Sequence, residues 1–193
     1  MRELVFLLEE ESAKALLEAL LPRVLDVSID TRLIAFQGKQ DLEKQLVKRL
    51  RGYLNPRARF LVLRDQDSAP DCAVIKRRLV EYCEAAGKKE RSLIRIACRE
   101  LESMYLADLH AVEVALNLSG LSNRQYSAKF RAPDVLGSPS RELSQLTDGV
   151  YQKVGGSRQI GTHLDIANER SPSFKHLIRG IRRLEAELLA LPD

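Results

Sequence analysis

Asp65 and Asp67 stand two apart after the apolar run Phe60-Leu61-Val62-Leu63, and the triplet Glu9-Glu10-Glu11 follows a second such run, Leu4-Val5-Phe6-Leu7-Leu8. In an extended segment, side chains two apart point to one side. Two carboxylates held that way repel unless a cation or a proton sits between them. A hard ion such as Mg²⁺ takes oxygen ligands and keeps several waters, so two or three carboxylates suffice; Mn²⁺ accepts the same donors. Asp-x-Asp also occurs in surface turns and caps. What favours a metal is Glu9, a carboxylate at the exit of a second strand. Glu10 and Glu11 fall at the start of a helix, where negative charge is favourable.

A second cluster is Arg99, Glu100 and Glu102. Arg99 can grip a phosphate with two parallel hydrogen bonds. Glu102 can serve as a further metal ligand or anchor Arg99 by a salt bridge across one helical turn. A third group, Lys153, Arg158 and His163, lies around Gly155-Gly156. Paired glycines ahead of a short helix would offer N–H groups to a phosphate, and Lys153 would stabilise charge developing in phosphoryl transfer. Neither this segment nor Gly38-Lys39 has the spacing of a nucleotide-binding P-loop. Lys39, Arg99, Arg158 and His163 are the candidate phosphate contacts.

These residues need elements to place them. Residues 3–8, 31–36, 59–63 and 92–98 read as strands. Between them, Ala13-Leu16-Leu17-Leu20-Leu21, Leu42-Leu46-Val47-Leu50 and Cys72-Ile75-Leu79-Cys83 recur at helical spacing. Pro22 ends the first stripe, Gly52 the second and Gly87 the third; Pro70 suits the first turn of the third helix. Strands alternating with helices predict βαβ units, a mostly parallel Rossmann-like α/β sheet flanked by helices, and ligand chemistry at the carboxyl ends of the strands. Glu9, Asp65, Asp67, Arg99 and Glu100 all fall there. Residues 1–116 form this core. Residues 117–193 are a C-terminal extension packing on it, with a helix over 101–116 leading in, then short helices and long loops to 160 as a lid, and a last helix opened by Ser171-Pro172.

The chain's 193 residues suffice for one substantial domain, with 45% hydrophobic and 30% charged residues. No apolar run approaches the ~20 residues of a membrane span. Cys72, Cys83 and Cys98 are an odd, dispersed set with no Cys-x-x-Cys pair, which fits a reduced cytoplasm. The net charge of +4 is unevenly spread: the start is acidic, and residues 124–158 carry Arg124, Lys129, Arg131, Arg141, Lys153 and Arg158. An acidic focus with basic surroundings suits a metal site handling a polyanion; on charge alone, a mixed solvated surface is the favoured reading.

Strand-Glu9, helix, strand, helix, strand-Asp65-x-Asp67 resembles the Toprim domain of topoisomerases, bacterial primases and the nucleases of the overcoming-lysogenization-defect group. Leu8-Glu9-Glu10-Glu11-Ser12 is similar to the Glu-Gly-Pro-Ser-type signature of those nucleases, with Glu10 where glycine is usual. A closer resemblance, over nearly the whole chain, is to an uncharacterised bacterial Toprim-like family with a domain of unknown function. It is carried by Arg2-Glu3-Leu4-Val5-Phe6-Leu7-Leu8-Glu9-Glu10, Gly38-Lys39-Gln40-Asp41-Leu42, Leu63-Arg64-Asp65-Gln66-Asp67-Ser68, Cys98-Arg99-Glu100-Leu101-Glu102-Ser103 and Tyr151-Gln152-Lys153. The resemblance implies a Mg²⁺ or Mn²⁺ cofactor held by Glu9, Asp65 and Asp67, extended to Glu100 and Glu102, with Lys153 beside them. It also implies a DNA or RNA substrate and, from similar proteins acting in phage defence, an ABC-type or AAA-type ATPase partner.

Three functions compete. The first is a metal-dependent nuclease with Glu9, Asp65, Asp67 and Lys153 as its catalytic set. The second is a non-catalytic partner or sensor subunit, motivated by Glu10. The third is a receiver-like phosphoacceptor, which would need a hydroxyl residue after the fourth strand, where Cys98-Arg99-Glu100 stands.

Overall fold

The computed structural model describes residues 1–192; Asp193, the last residue of the expected extension, lies outside the described residues. Four strands, β1 (Glu3–Leu8), β2 (Asp30–Ala35), β3 (Ala58–Asp65) and β4 (Ser92–Ala97), form one parallel sheet in the order β2-β1-β3-β4. β1 alternates between two cores. Leu4, Phe6 and Leu8 join one, Val5 and Leu7 the other. Both central strands carry near-continuous apolar runs, Leu4 to Leu8 and Phe60 to Leu63, because helices cover both faces. Burying a Phe such as Phe6 or Phe60 stabilises the fold by roughly 1.5–3 kcal/mol. β2 is an edge strand and its first half is exposed.

The connecting helices are α1 (Glu11–Leu20), α2 (Lys39–Arg51) and α3 (Cys72–Ala85). α1 packs in the core of Leu4 and Phe6, whereas α2 and α3 pack in the core of Val5 and Leu7. Chain order places β2 on one side of β1 and β3 on the other. The crossovers therefore diverge between β1 and β3, and a crevice opens at their carboxyl ends. Pro70 precedes α3 rather than opening it. Asp71 is the cap, its carboxylate accepting the Ala73 N–H at 2.7 Å.

Between residues 117 and 152 the chain runs in short helices and loops, as expected, but the flanking helices differ. The helix expected over 101–116 is two, α4 (Glu102–Leu106) and α5 (Leu109–Ala115). Asp108 breaks them apart because its side chain caps α5, accepting the Ala111 N–H at 3.1 Å. After α6 (Pro139–Leu146) comes α7 (Lys153–His163), an 11-residue helix packed against α1. α8 (Pro172–Leu189) starts as its sequence predicts, with Ser171 accepting the Phe174 N–H at 3.1 Å and Pro172 in the first turn. Its apolar stripe, with Phe174, Leu177, Ile181, Leu184 and Leu188, covers the α1 face of the sheet.

Gly155 and Gly156 lie inside α7, not ahead of it, so their N–H groups belong to the helix and form no phosphate loop. The glycines of α7 serve close packing. A Cβ on Gly161 would sit 2.9 Å from the Leu16 carbonyl and 3.0 Å from the Ala19 Cβ of α1. The obstacle is backbone, which cannot swing aside. Gly161→Ala is expected to cost about 1–3 kcal/mol and to lower the melting temperature by about 2–4 °C per kcal/mol. A thermal melt of the variant identical to wild type would show that α1 and α7 are not in such tight register.

Candidate carboxylate centre

The crevice between β1 and β3 is acidic. Glu9 follows β1 and is only 8% exposed. Its backbone N–H extends the ladder to the Leu63 carbonyl at 3.2 Å, and its Oε2 accepts the Asp65 N–H at 3.0 Å. Burial raises its carboxyl above the ordinary range; the Asp65 N–H and Arg64 oppose that, while Asp67 and Glu10 add to it. Asp65, the last residue of β3, is raised further. Burial is the main cause, then the charges of Glu9 and Glu102, against which the Leu101 N–H works. Glu102 opens α4 and is 1% exposed. Burial raises its carboxyl too, offset by its own backbone N–H, the Tyr151 hydroxyl and Lys153.

Asp67 behaves differently. Its φ of 55° ends the extended run, so it does not align with Asp65 as two positions of one strand would. Its N–H reaches the Arg99 carbonyl at 2.6 Å, and its carboxylate pairs with Lys39 at 2.8 Å. Arg99 is also left-handed, at φ 61°. Two non-glycine residues in that region cost of order 1–3 kcal/mol each. They let the exits of β3 and β4 stay joined beyond the sheet, with Gln66 N–H to Ala97 O at 2.9 Å.

Two lysines border the cluster. Lys39 begins α2 just after Gly38, whose φ of 95° turns the chain so that its N–H meets the Glu9 carbonyl at 2.9 Å. Lys153 begins α7, forms an ion pair with Glu10 and lies within the field of Glu102 and Asp65. Burial works against its charge, but these acids outweigh it and hold the ammonium firmly protonated.

The structure thus gathers Glu9, Asp65, Asp67, Glu102, Lys39 and Lys153. Arg99 stays beside Asp67, while Glu100, Arg158 and His163 are engaged elsewhere. Glu100 accepts the Ser140 N–H at 2.7 Å and caps the first turn of α6. The Arg99 guanidinium folds to within 3.5 Å of the Asp67 carbonyl. Arg158 is paired with Glu18 of α1 at 2.6 Å, and His163 ends α7, about 15 Å along the helix from Lys153. Sequence reasoning missed Arg64 and Tyr151. Arg64 is buried, 2.9 Å from Glu43 and 3.8 Å from Glu9. Its signal was a cation in an otherwise apolar strand, which demands an acid beside it.

The donor set suits a hard divalent cation in chemistry: all oxygen, acidic and mutually repelling. Among the described residues no group of three or more His, Cys, Asp and Glu is gathered into a ready cage.

The model of the family described as "Domain of unknown function (DUF4276)" matches residues 8–182, and the chain belongs to that family. Among solved structures, the C-terminal region of the Burkholderia pseudomallei OLD protein is similar with a TM-score of 0.54 at 13% sequence identity, over 96% of this chain and 98% of that one. At that identity the likeness is one of fold. A search of curated proteins found no match. No described helix is long and apolar enough to cross a membrane.

The raised carboxyls have a consequence for stability. A carboxyl whose folded pKa exceeds its unfolded value binds more protons when folded, so its contribution falls as pH rises from about 4 through the folded pKa. Asp65→Asn removes the charge while keeping an oxygen for the Leu101 N–H. The metal-free variant is expected to melt several degrees above wild type at pH 8, with a smaller gain at pH 5. Melting temperatures across that range check it; a variant less stable at pH 8 would contradict the repulsion.

Proposed function

We propose that the chain is a Toprim-like, metal-dependent phosphodiester hydrolase, a nuclease centred on the β1–β3 crevice. The observation that carries this reading is the convergence of Glu9, Asp65 and Glu102, from three separate segments, on one acidic patch bordered by Lys39 and Lys153. The sequence resemblance to nucleases of the overcoming-lysogenization-defect group, and the fold shared with the OLD C-terminal region, support it.

A bound Mg²⁺ or Mn²⁺ would activate water and neutralise charge on the scissile phosphate. Glu9, Asp65 and Asp67 would hold it, with Glu102 adding its charge to the same patch. Glu9 is already oriented by the Asp65 N–H. Lys39 and Lys153 are each about half exposed in their pairs with Asp67 and Glu10. Both can turn to phosphate oxygens and stabilise charge as it develops. Lys129 and Arg131, with Arg124, offer further cations along residues 124–158 for backbone contacts. The resemblance makes an ABC-type or AAA-type ATPase the partner to test.

One observation favours a second reading, a non-catalytic partner subunit. Glu10, standing where the nuclease signature has glycine, occupies the Lys153 ammonium. That pair competes with phosphate for the lysine.

Cleavage of DNA and RNA, transfer RNA included, is expected with Mg²⁺ or Mn²⁺, alone or with the ATPase. Asp65→Ala and Asp67→Ala are each expected to reduce it about 100-fold or more; unchanged cleavage in both would sink the proposed centre. Glu10→Gly should release Lys153 and raise the rate several-fold. Titration calorimetry separates the readings, because tight partner binding without any Mg²⁺ binding would establish the second.

A further inference from the structure

Tyr151 is held on every side. Its N–H donates to Thr147 Oγ1 at 3.2 Å, and the Thr147 hydroxyl is fixed on the Leu143 carbonyl at 2.9 Å. Its ring lies over Gly156, where a Cβ would come within 2.5 Å of a ring carbon. Tyr105 meets the ring at 61°, with centroids 6.1 Å apart. This packing aims the hydroxyl at Glu102, with Oη 3.0 Å from Oε1.

Proton counting shows where that hydroxyl is committed. It also lies 3.2 Å from Ser157 Oγ, but the Ser157 proton goes to the Lys153 carbonyl at 2.5 Å. Tyr151 has one proton to give, and a carboxylate is the stronger acceptor. Glu102 is 1% exposed, and a buried carboxylate is costly unless hydrogen-bonded. The Tyr151 hydroxyl is the side-chain donor that meets this need from just ahead of α7, two residues before Lys153.

We propose that Tyr151 is a positioning residue whose hydroxyl fixes the Glu102 carboxylate, so that Glu102 can act with Asp65 on a divalent cation in the β1–β3 crevice. The inference rests on the metal-centre reading above. Tyr151 itself touches neither metal nor substrate. It acts through Glu102, and Gly156 is glycine because the ring must lie there.

The test is Mn²⁺ titration of the metal-free full chain by calorimetry. Wild type binds Mn²⁺, and Tyr151→Phe, which keeps the ring and loses the hydroxyl, binds about 10–100-fold more weakly. Glu102→Gln also binds more weakly, but adding Tyr151→Phe to Glu102→Gln changes affinity less than twofold, because the hydroxyl acts through that carboxylate. Should Tyr151→Phe fold poorly, as circular dichroism would reveal, the comparison of Glu102→Gln with the double variant still decides, since neither buries the Glu102 charge. Absence of Mn²⁺ binding in wild type overturns the metal centre and this role with it. Wild-type binding with undiminished affinity in Tyr151→Phe overturns the positioning role alone. So does a further loss of affinity when Tyr151→Phe is added to Glu102→Gln.

Discussion

Mutual repulsion among carboxylates at the ends of β1 and β3 is the constraint around which the molecule is arranged. Glu9, Asp65 and Glu102 are all raised first by burial, and Asp65 is raised again by the charges of the other two. A fold selected for stability alone would place apolar groups there. Instead the chain spends donors on the acids: the Asp65 N–H on Glu9, the Leu101 N–H on Asp65, the Tyr151 hydroxyl on Glu102. These groups orient the oxygens without cancelling their charge, which leaves a net demand for positive charge at a known place.

That demand explains the placement of α7. Its leading turn carries both Tyr151, just before the helix, and Lys153, its first residue, to the cluster. They arrive only if α7 lies close along α1. The approach depends on Gly161 against the Leu16 carbonyl and on Gly156 beneath the Tyr151 ring. Packing at one end of the helix thus sets electrostatics at the other. The glycines that look like a phosphate loop in the sequence are spacers in the structure.

The sheet and its two central ligand candidates were legible because they rest on local patterns. Apolar runs of strand length alternating with helical stripes define parallel β/α order, and that order alone places Glu9 and Asp65 at one edge. What was not legible depends on contacts distant in sequence or on competition between local groups. Tyr151 and Glu102 are 49 residues apart, a pairing no spacing rule reaches. Asp108 could continue a helix or cap a new one, and the cap won. Arg158 is five residues, about 1.4 helical turns, beyond Lys153 and so faces Glu18 of α1, because the helix turns it away from the crevice. Asp67 departs from Asp65 since a left-handed residue breaks the period of two.

The ion pairs at the site fall into two kinds, and the distinction bears on how such a centre would work. Arg64, buried against Glu43 and near Glu9, is locked; removing one partner would strand a charge in the interior, which is strongly unfavourable. Lys39–Asp67 and Lys153–Glu10 lie at the rim, a third to half exposed. Exposed pairs of that kind are worth only about 0–1 kcal/mol, so a phosphate, with more charge and more acceptor oxygens, can compete for the lysines. The buried pair is therefore fixed, while the rim pairs keep two cations in place and exchangeable. Glu10 then need not disable Lys153. In the proposed nuclease it would hold the ammonium beside the carboxylates, and an incoming phosphate would displace it.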